Sequence, residues 1–380
     1  MNTHTQYTNV LKTCMVRLTL LSLFLAFGLF TLFSPLSARA TSAAQATVSA
    51  GRACIINAPS SVLPGGLIGH VGWAYKAGSG DNWSFGATEG TGALTIPAGY
   101  DTHSWGNGGT WFGLAGSFEN VFYTYYNVKL HNAKYYTQYR CFNVSSSNSS
   151  AADAEAQRQA TNGYNGFNNN CLTKAIAILK AYGVTNLQAA PNTAPNTYFK
   201  NNLASFEAIL PLPPLLQVLV ALTDPANGQP INTRPIHAQR QMYLQIYNTS
   251  NQLVYNQQTT ASQIPGTGKY FSNIVLNSSW TNGSYLVTVK LNYTLRKQVA
   301  GIPTISSGQE TILPLTSLTI GDIDQNNQLD SQDYNTLISC YGSKQCPAIL
   351  KTGSDISDDG VVDGVDINLW LRIYSTQRGG

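Results

Sequence analysis

The chain has 380 residues, 43% of them hydrophobic and only 11% charged. So little charge excludes a highly charged disordered tail or a coiled coil, and with no basic block anywhere a nucleic-acid footprint is not expected. The length suits two or three domains, and the 21 Tyr and 33 Gly, with abundant Asn, Ser and Thr, suggest a β-rich extracytoplasmic protein.

Residues 1–17 are polar and carry Lys12 and Arg17 without an acid; an apolar run, Leu18 to Phe33, leads to a segment ending Ser37-Ala38-Arg39-Ala40. A basic n-region, an apolar h-region and an Ala-x-Ala site describe a secretory signal peptide, and the run is short for a membrane span. The expectation is a signal peptide over 1–40, secretion to the extracellular space or cell surface, and no membrane partner after cleavage. Cleavage removes Lys12, Arg17 and Arg39 and leaves 19 bases against 18 acids, so long-range steering should be weak. Residues 41–50 are Ala/Ser/Thr-rich and read as a flexible N-terminus.

Five cysteines remain: Cys54, Cys141, Cys171, Cys340 and Cys346. Disulfides are expected outside the cell, and an odd count leaves one thiol over. Cys340 and Cys346 are close enough to bridge locally, Cys54 and Cys141 could tie the start of a domain to a later strand, and Cys171 is then free.

Residues 51–203 mix strands and helices. The strand candidates are His70–Tyr75, Trp83–Ala87, Val121–Val128 and Tyr135–Phe142. Ala151–Asn162 reads as a helix with Ser149 or Ser150 as cap and Asp153 in its first turn. Cys171–Tyr182 reads as a second, with Leu172, Ala175, Ile176 and Leu179 at helical spacing, Asn170 as cap and Gly183 as stop. Residues 204–214 form a Pro-rich linker ending in Pro211-Leu212-Pro213-Pro214. From 215 to 315 short segments, Met242–Tyr247, Leu253–Asn256, Ile274–Leu276 and Tyr285–Leu291, alternate with Gly/Asn/Pro turns. That spacing suggests an all-β immunoglobulin-like sandwich without a titratable cluster, an accessory module whose carbohydrate binding the residues do not decide.

Residues 316–380 hold a duplication. Asp322, Asp324, Asn326, Gln328, Asp330 and Asp333 fall in one twelve-residue loop; Asp355, Ser357, Asp359, Val361, Asp363 and Asp366 repeat the register in another. Oxygen side chains at positions 1, 3, 5, 9 and 12, with a backbone carbonyl at position 7, are EF-hand spacing, and two copies imply two Ca²⁺ sites. Each loop precedes an apolar helical pattern: Tyr334, Leu337, Ile338 and Tyr341, then Ile367, Trp370, Leu371 and Tyr374. Crowded carboxylates repel until an ion arrives, so chelation is expected to melt residues 320–374 first.

Over about 55 residues this segment resembles a dockerin type I domain, with two loop–helix calcium repeats. Asn327 stands where the position-6 glycine belongs, and Asn tolerates the left-handed conformation. The resemblance implies contact with a cohesin partner through loop positions 10 and 11. Here those are Ser331-Gln332 and Gly364-Val365, so a cohesin-like partner and intramolecular docking both stay open.

Cys171, in Phe167-Asn-Asn-Asn-Cys171, opens an amphipathic helix. The partial positive charge and free N–H groups of a helix N-terminus favour a thiolate and can hold an oxyanion. A base must come from His70, His103, His131 or His237. His70, in Gly69-His70-Val-Gly-Trp-Ala-Tyr75, is best placed, and Gly69 and Gly72 leave room for close approach. Glu89 ends the next strand candidate, and a hairpin from 70 to 89 would bring it beside His70 as the group that orients the ring. His103 and His131 read as surface groups or substrate lining. The aromatic stretch Trp105, Trp111, Phe112, Phe118, Phe122, Tyr123, Tyr125 and Tyr126 reads as core, with a sugar-stacking groove as the alternative.

A Gly-His-Val-Gly-Trp-Ala strand, an acid on the following strand and Asn-Cys opening a helix about a hundred residues later resemble the circularly permuted NlpC/P60 (papain-like) superfamily over 51–203. That group includes amidases, peptidases and acyltransferases. The resemblance implies Cys171 as nucleophile, His70 as base and Glu89 as orienter, acting on a peptide or peptidoglycan amide. The fold expected is therefore multidomain: an α+β papain-like domain, an all-β sandwich and a small α calcium-loop domain. A non-catalytic scaffold- or surface-binding protein whose tail carries the function is the competing expectation, and an acyltransferase the third.

Overall fold

The structure is a computed structural model that describes residues 49–60, 68–89, 101–105, 108–130, 133–134, 136–188, 192–342 and 345–378. The expected signal peptide, most of the flexible N-terminus and His131 lie outside the described residues, as does the side chain of His103. The fold is α+β and dominated by sheets. Among the described residues no helix is long and apolar enough to cross a membrane.

Seven strands form the first sheet: β1 (Ser49–Ala58), β2 (His70–Lys76), β3 (Trp83–Glu89), β4 (Asp101–Trp105), β5 (Gly108–Ala115), β6 (Gln138–Ser147) and β7 (Leu210–Pro211). Their order is β4-β5-β3-β2-β1-β6-β7, and every pairing is antiparallel. Strand period two sorts the side chains between two cores. Ala53, Ile55, Val71, Trp73 and Tyr75 enter one cluster; Cys54, Ile56, Ala74, Phe85 and Ala87 enter the other. Helices cover both faces, which is why β2 and β3 are buried along nearly their whole length. α2 (Ser149–Thr161), α3 (Cys171–Tyr182) and α4 (Pro195–Asn201) supply the first cluster, and α1 (Phe118–Asn127) the second. Cys54 and Cys141 stand directly opposite each other on β1 and β6 and are bridged, as are Cys340 and Cys346; Cys171 is free and buried.

One predicted strand is a helix. Val121–Val128 lies almost wholly within α1, capped by the Ser117 hydroxyl, which accepts from the Asn120 N–H at 3.2 Å. The aromatic, β-branched composition suggested extension, yet Phe118, Val121, Phe122, Tyr125 and Tyr126 recur at helical spacing and bury one face. Packing overrides local propensity here. The predicted Tyr135–Phe142 strand is Gln138–Ser147, and the cap of α2 is Asn148, whose Oδ1 accepts from Ala151, not Ser149 or Ser150.

Between 204 and 214 the proline-rich stretch is ordered: β7 pairs with β6, Leu212 is buried, and the Tyr126 hydroxyl donates to the Pro213 carbonyl at 2.5 Å. Beyond it, strands β8 (Leu215–Leu222), β9 (Gln239–Tyr247), β10 (Leu253–Gln263), β11 (Lys269–Val275), β12 (Leu286–Leu291), β13 (Lys297–Gln298) and β14 (Glu310–Ile312) join one sheet in the order β13-β12-β9-β10-β11-β8-β14. β15 (Thr316–Leu318) also pairs with β8, parallel to it. The all-β character of this region agrees with its spacing; Gly283–Ser284 and Thr304–Ile305 pair separately as a two-stranded sheet.

The C-terminal helices α5 (Ser331–Cys340), α6 (Ala348–Ser354) and α7 (Gly364–Arg378) do not carry a separate core. Leu337, Ile356, Val362, Leu369, Trp370 and Ile373 belong to the same buried cluster as Leu216, Val218, Leu244, Ile246 and Val289.

Candidate functional site

The β2–β3 ladder pairs Gly72 with Ala87, and the same register carried outward sets His70 against Glu89. The two side chains meet as an ion pair, Nε2 to Oε2 at 2.9 Å, with Glu89 fully buried and His70 nearly so. Glu89 Oε1 accepts from the Trp111 indole at 3.0 Å and the Tyr136 hydroxyl at 2.9 Å. A buried carboxylate with so many donors is held in its charged form. Burial alone would raise the Glu89 pKa, but the charge and hydrogen bond of His70 and the Trp111 and Tyr136 donors bring it below its ordinary value.

Besides its contact with Glu89, the imidazole shares a side-chain hydrogen bond with Cys171. Burial is the largest influence on His70 and works against the charged ring. Charge interactions with Cys171 and Glu89, and a hydrogen bond to each, outweigh it and push the pKa up to about 10. The geometry thus brings Cys171, His70 and Glu89 into one relay.

Cys171 is where it is because α3 starts there. Asn170 caps the helix, its Oδ1 accepting from the Leu172 and Thr173 N–H groups at 3.0 and 3.1 Å, while the Thr173 hydroxyl accepts from the Asn170 N–H at 2.8 Å. Gly183 ends the helix at φ 117°, as the sequence indicated. The cap consumes the neighbouring first-turn donors, and the main-chain N–H of Cys171 donates to the half-buried Tyr164 hydroxyl oxygen. Burial first, then the charges of Cys171 and Glu89, raise the Tyr164 pKa, so its hydroxyl stays protonated as a donor. The Tyr164 phenol beside the sulfur is where a developing oxyanion would find a donor.

Cys171, His70 and Tyr164 open into a cavity of about 540 Å³ whose wall includes Ile68, Phe167, Ala194 and Pro195. Gly69 also lines it, at φ +72°, and a side chain there would run into Asn196. At Gly72 a Cβ would lie 2.7 Å from the Tyr125 hydroxyl. The closeness read into both glycines is thus used by the protein's own groups. His237 stands apart from this site, its Nδ1 2.5 Å from Asp358. The aromatic stretch is mostly core: Trp111, Phe122 and Tyr125 are fully buried. Sequence reasoning did not single out Tyr136 or Tyr164, nor Trp111 as a partner of Glu89. Only strand order places Trp111 beside β3; its side chain has no local signature of that role.

The two acidic loops fold alike. In the first, the Asn327 N–H donates to Asp322 at 3.2 Å, the Ile323 and Asp330 N–H groups donate to Asp333 at 2.7 and 3.0 Å, and Gln328 donates to Asn326. In the second, Gly360 donates to Asp355 at 2.8 Å, Ser357 and Asp363 donate to Asp366 at 2.8 and 2.9 Å, and Val361 donates to Asp359. Position 4 has positive φ in both (Gln325, Asp358), as has position 6: Asn327 at 70° and Gly360 at 99°. Asn327 takes the left-handed backbone that its side chain tolerates. Asp322, Asp324 and Asp333 bring ligand oxygens within 4.8 Å of one another. Burial, ahead of neighbouring carboxylates, raises the pKa values of Asp333, Asp355 and Asp366. All-oxygen donors of one sign, Asp322 and Asp333 buried and Asp324 exposed, fit a hard divalent cation.

Comparison with protein-family models, with curated protein sequences and with solved structures finds no match to this chain.

Proposed function

We propose that this protein is a secreted thiol hydrolase of amide bonds, built from a papain-like domain, an immunoglobulin-like sandwich and a calcium-stabilised, dockerin-like module. The observation that carries the reading is the buried Cys171–His70–Glu89 relay opening into a cavity. In the proposed cycle the Cys171 thiolate adds to the amide carbonyl carbon. The His70 imidazolium gives its proton to the departing nitrogen as the C–N bond breaks, leaving a thioester. Water then adds to the thioester carbonyl and gives a proton to His70; the C–S bond breaks and the thiolate returns. Glu89 holds the ring and stabilises its charge, and the Tyr164 phenol supports the oxyanion. The residues carry the same thioester to an amine or alcohol if one outcompetes water, which is the acyltransferase variant.

For the acidic loops the proposal is two Ca²⁺ ions, held by Asp322, Asp324, Asn326, Gln328, Asp330 and Asp333, and by Asp355, Ser357, Asp359, Val361, Asp363 and Asp366. Their cluster is continuous with the sheet above it, which supports an intramolecular partner over a cohesin.

Iodoacetamide tests the relay. Stoichiometric alkylation of Cys171 near neutral pH, lost in His70→Ala, is the expected result. Absence of alkylation in the native protein sinks the hydrolase reading and leaves a non-catalytic scaffold- or surface-binding protein.

A further inference from the structure

Among the described residues, the lining of the cavity beside Cys171 carries no charge besides the relay itself. Its other polar lining residues are Tyr164, Asn170, Asn192 and Thr193, all uncharged, and the rest of the wall is glycine or apolar. Asn170 is saturated: its Oδ1 accepts from Leu172 and Thr173, and its Nδ2 donates to the Gly166 and Phe167 carbonyls at 3.2 and 3.4 Å. Phe167 is 75% exposed at the mouth, an aromatic ring left in water beside the entrance. The Asn192 N–H ties the opposite rim to it by donating to the Phe167 carbonyl at 3.3 Å.

A carboxylate or ammonium seated along such a wall loses water and finds no counter-ion among the described lining residues outside the relay, which penalises it strongly. An apolar group gains from Ile68, Phe167, Ala194 and Pro195 at no such cost. Resting on the thiol-hydrolase reading, we infer that the cavity selects an uncharged, apolar acyl group: an aliphatic or aromatic aminoacyl residue or a fatty chain, and not a residue bearing a carboxylate or ammonium. Peptidoglycan stem peptides cut beside an acidic or diamino residue are excluded as preferred substrates.

The test uses the full secreted chain and two matched series. Coumarin amides of N-acetyl-Leu, N-acetyl-Phe, hexanoate, N-acetyl-Asp and N-acetyl-Lys are assayed for cleavage, and the corresponding chloromethyl ketones for the rate of Cys171 alkylation. The apolar members should exceed the Asp and Lys members in kcat/KM or alkylation rate by roughly 100-fold, the scale set by leaving a buried polar group unpaired. Either source of the apolar group fits: aminoacyl members fastest means a peptide substrate, hexanoyl fastest a fatty acyl one. Phe167→Ala should shrink the preference about tenfold, one side chain's worth of apolar contact. If the amides resist cleavage, the ketone ranking alone decides. Charged members reacting as fast as apolar ones, with Cys171 still modified, overturn the inference and leave the hydrolase standing. No reaction at Cys171 in either series overturns both.

Discussion

Two regions of this molecule bury charge, and they balance it differently. Around Cys171 the relay is closed: an imidazole lies between a sulfur and a carboxylate, and that carboxylate's second oxygen is filled by Trp111 and Tyr136. In the C-terminal loops the balance is open. Asp322 meets the Lys290 ammonium at 2.6 Å, and in the second loop Asp358, at a non-ligand position, is matched by Arg240 at 2.8 Å and His237. The remaining loop carboxylates have only main-chain and side-chain N–H and O–H partners, with Asp333, Asp355 and Asp366 raised in pKa by burial. A self-compensated site can be ready for chemistry without an added ion, whereas an uncompensated one calls for a cation from outside. The difference also separates the loops from each other. Lys290 competes for a proposed ligand of the first, while Arg240 and His237 leave the six proposed ligands of the second untouched.

The largest effect should come from opening the closed site. Glu89→Gln keeps acceptors for Trp111 and Tyr136 but strands a buried imidazolium, and should cost about 3–5 kcal/mol in chemical denaturation. The pH dependence follows. His70 is raised from 6.5 to about 10, so its stabilisation is full below 6.5 and is lost as pH rises through about 10. Glu89 is lowered, so its share is present above 4.5 and is lost as pH falls through its depressed value. The stability gap between native protein and Glu89→Gln should therefore be widest between pH 4.5 and 6.5 and close towards pH 10. Hydrolysis should fall on the alkaline side near pH 10 in the native protein, and at lower pH in the variant. A gap that grows with alkalinity would contradict the pairing.

Removing calcium should come next. At a hundredfold excess over Kd one ion stabilises by about 2.7 kcal/mol, which a chelator would withdraw. Because Leu337, Ile356 and Trp370 share a core with Val218 and Ile246, loss of protease resistance should begin in 320–374 and spread into 215–315. Unchanged proteolysis in excess chelator would show that the loops close without metal.

The smallest effect sharpens the contrast between loops. Lys290→Met removes the ammonium beside Asp322 and should tighten calcium binding at the first loop about tenfold, or 1.4 kcal/mol. The second loop should not respond. Calorimetry resolving two sites checks this; equal changes at both would mean that Lys290 acts through the fold, not through charge.

Much of the local structure was legible. Asn170 before Cys171 and Gly183 after Tyr182 announced α3, because capping chemistry is written in adjacent residues. The loop repeat declared its own register, down to an asparagine able to take position 6. Cysteine parity set Cys171 apart before any coordinate. What escaped was long-range. The helix Phe118–Asn127 hid behind aromatic composition, since what decides for helix is the face it buries against β3 and β5. Tyr136 and Tyr164 gave no sign of their roles, being one tyrosine each among 21.

The sequence by itself determined the cap and stop of α3, the oxygen spacing of the loops and the odd thiol, because each depends on neighbours within a few positions or on a count. Only the tertiary structure decided that His70 lies between Cys171 and Glu89 in a neutral-walled cavity, and that the acidic loops share a core with the second sheet. Those outcomes depend on strand register and on hydrophobic faces from distant segments closing over one another, and no short window of the chain contains both partners.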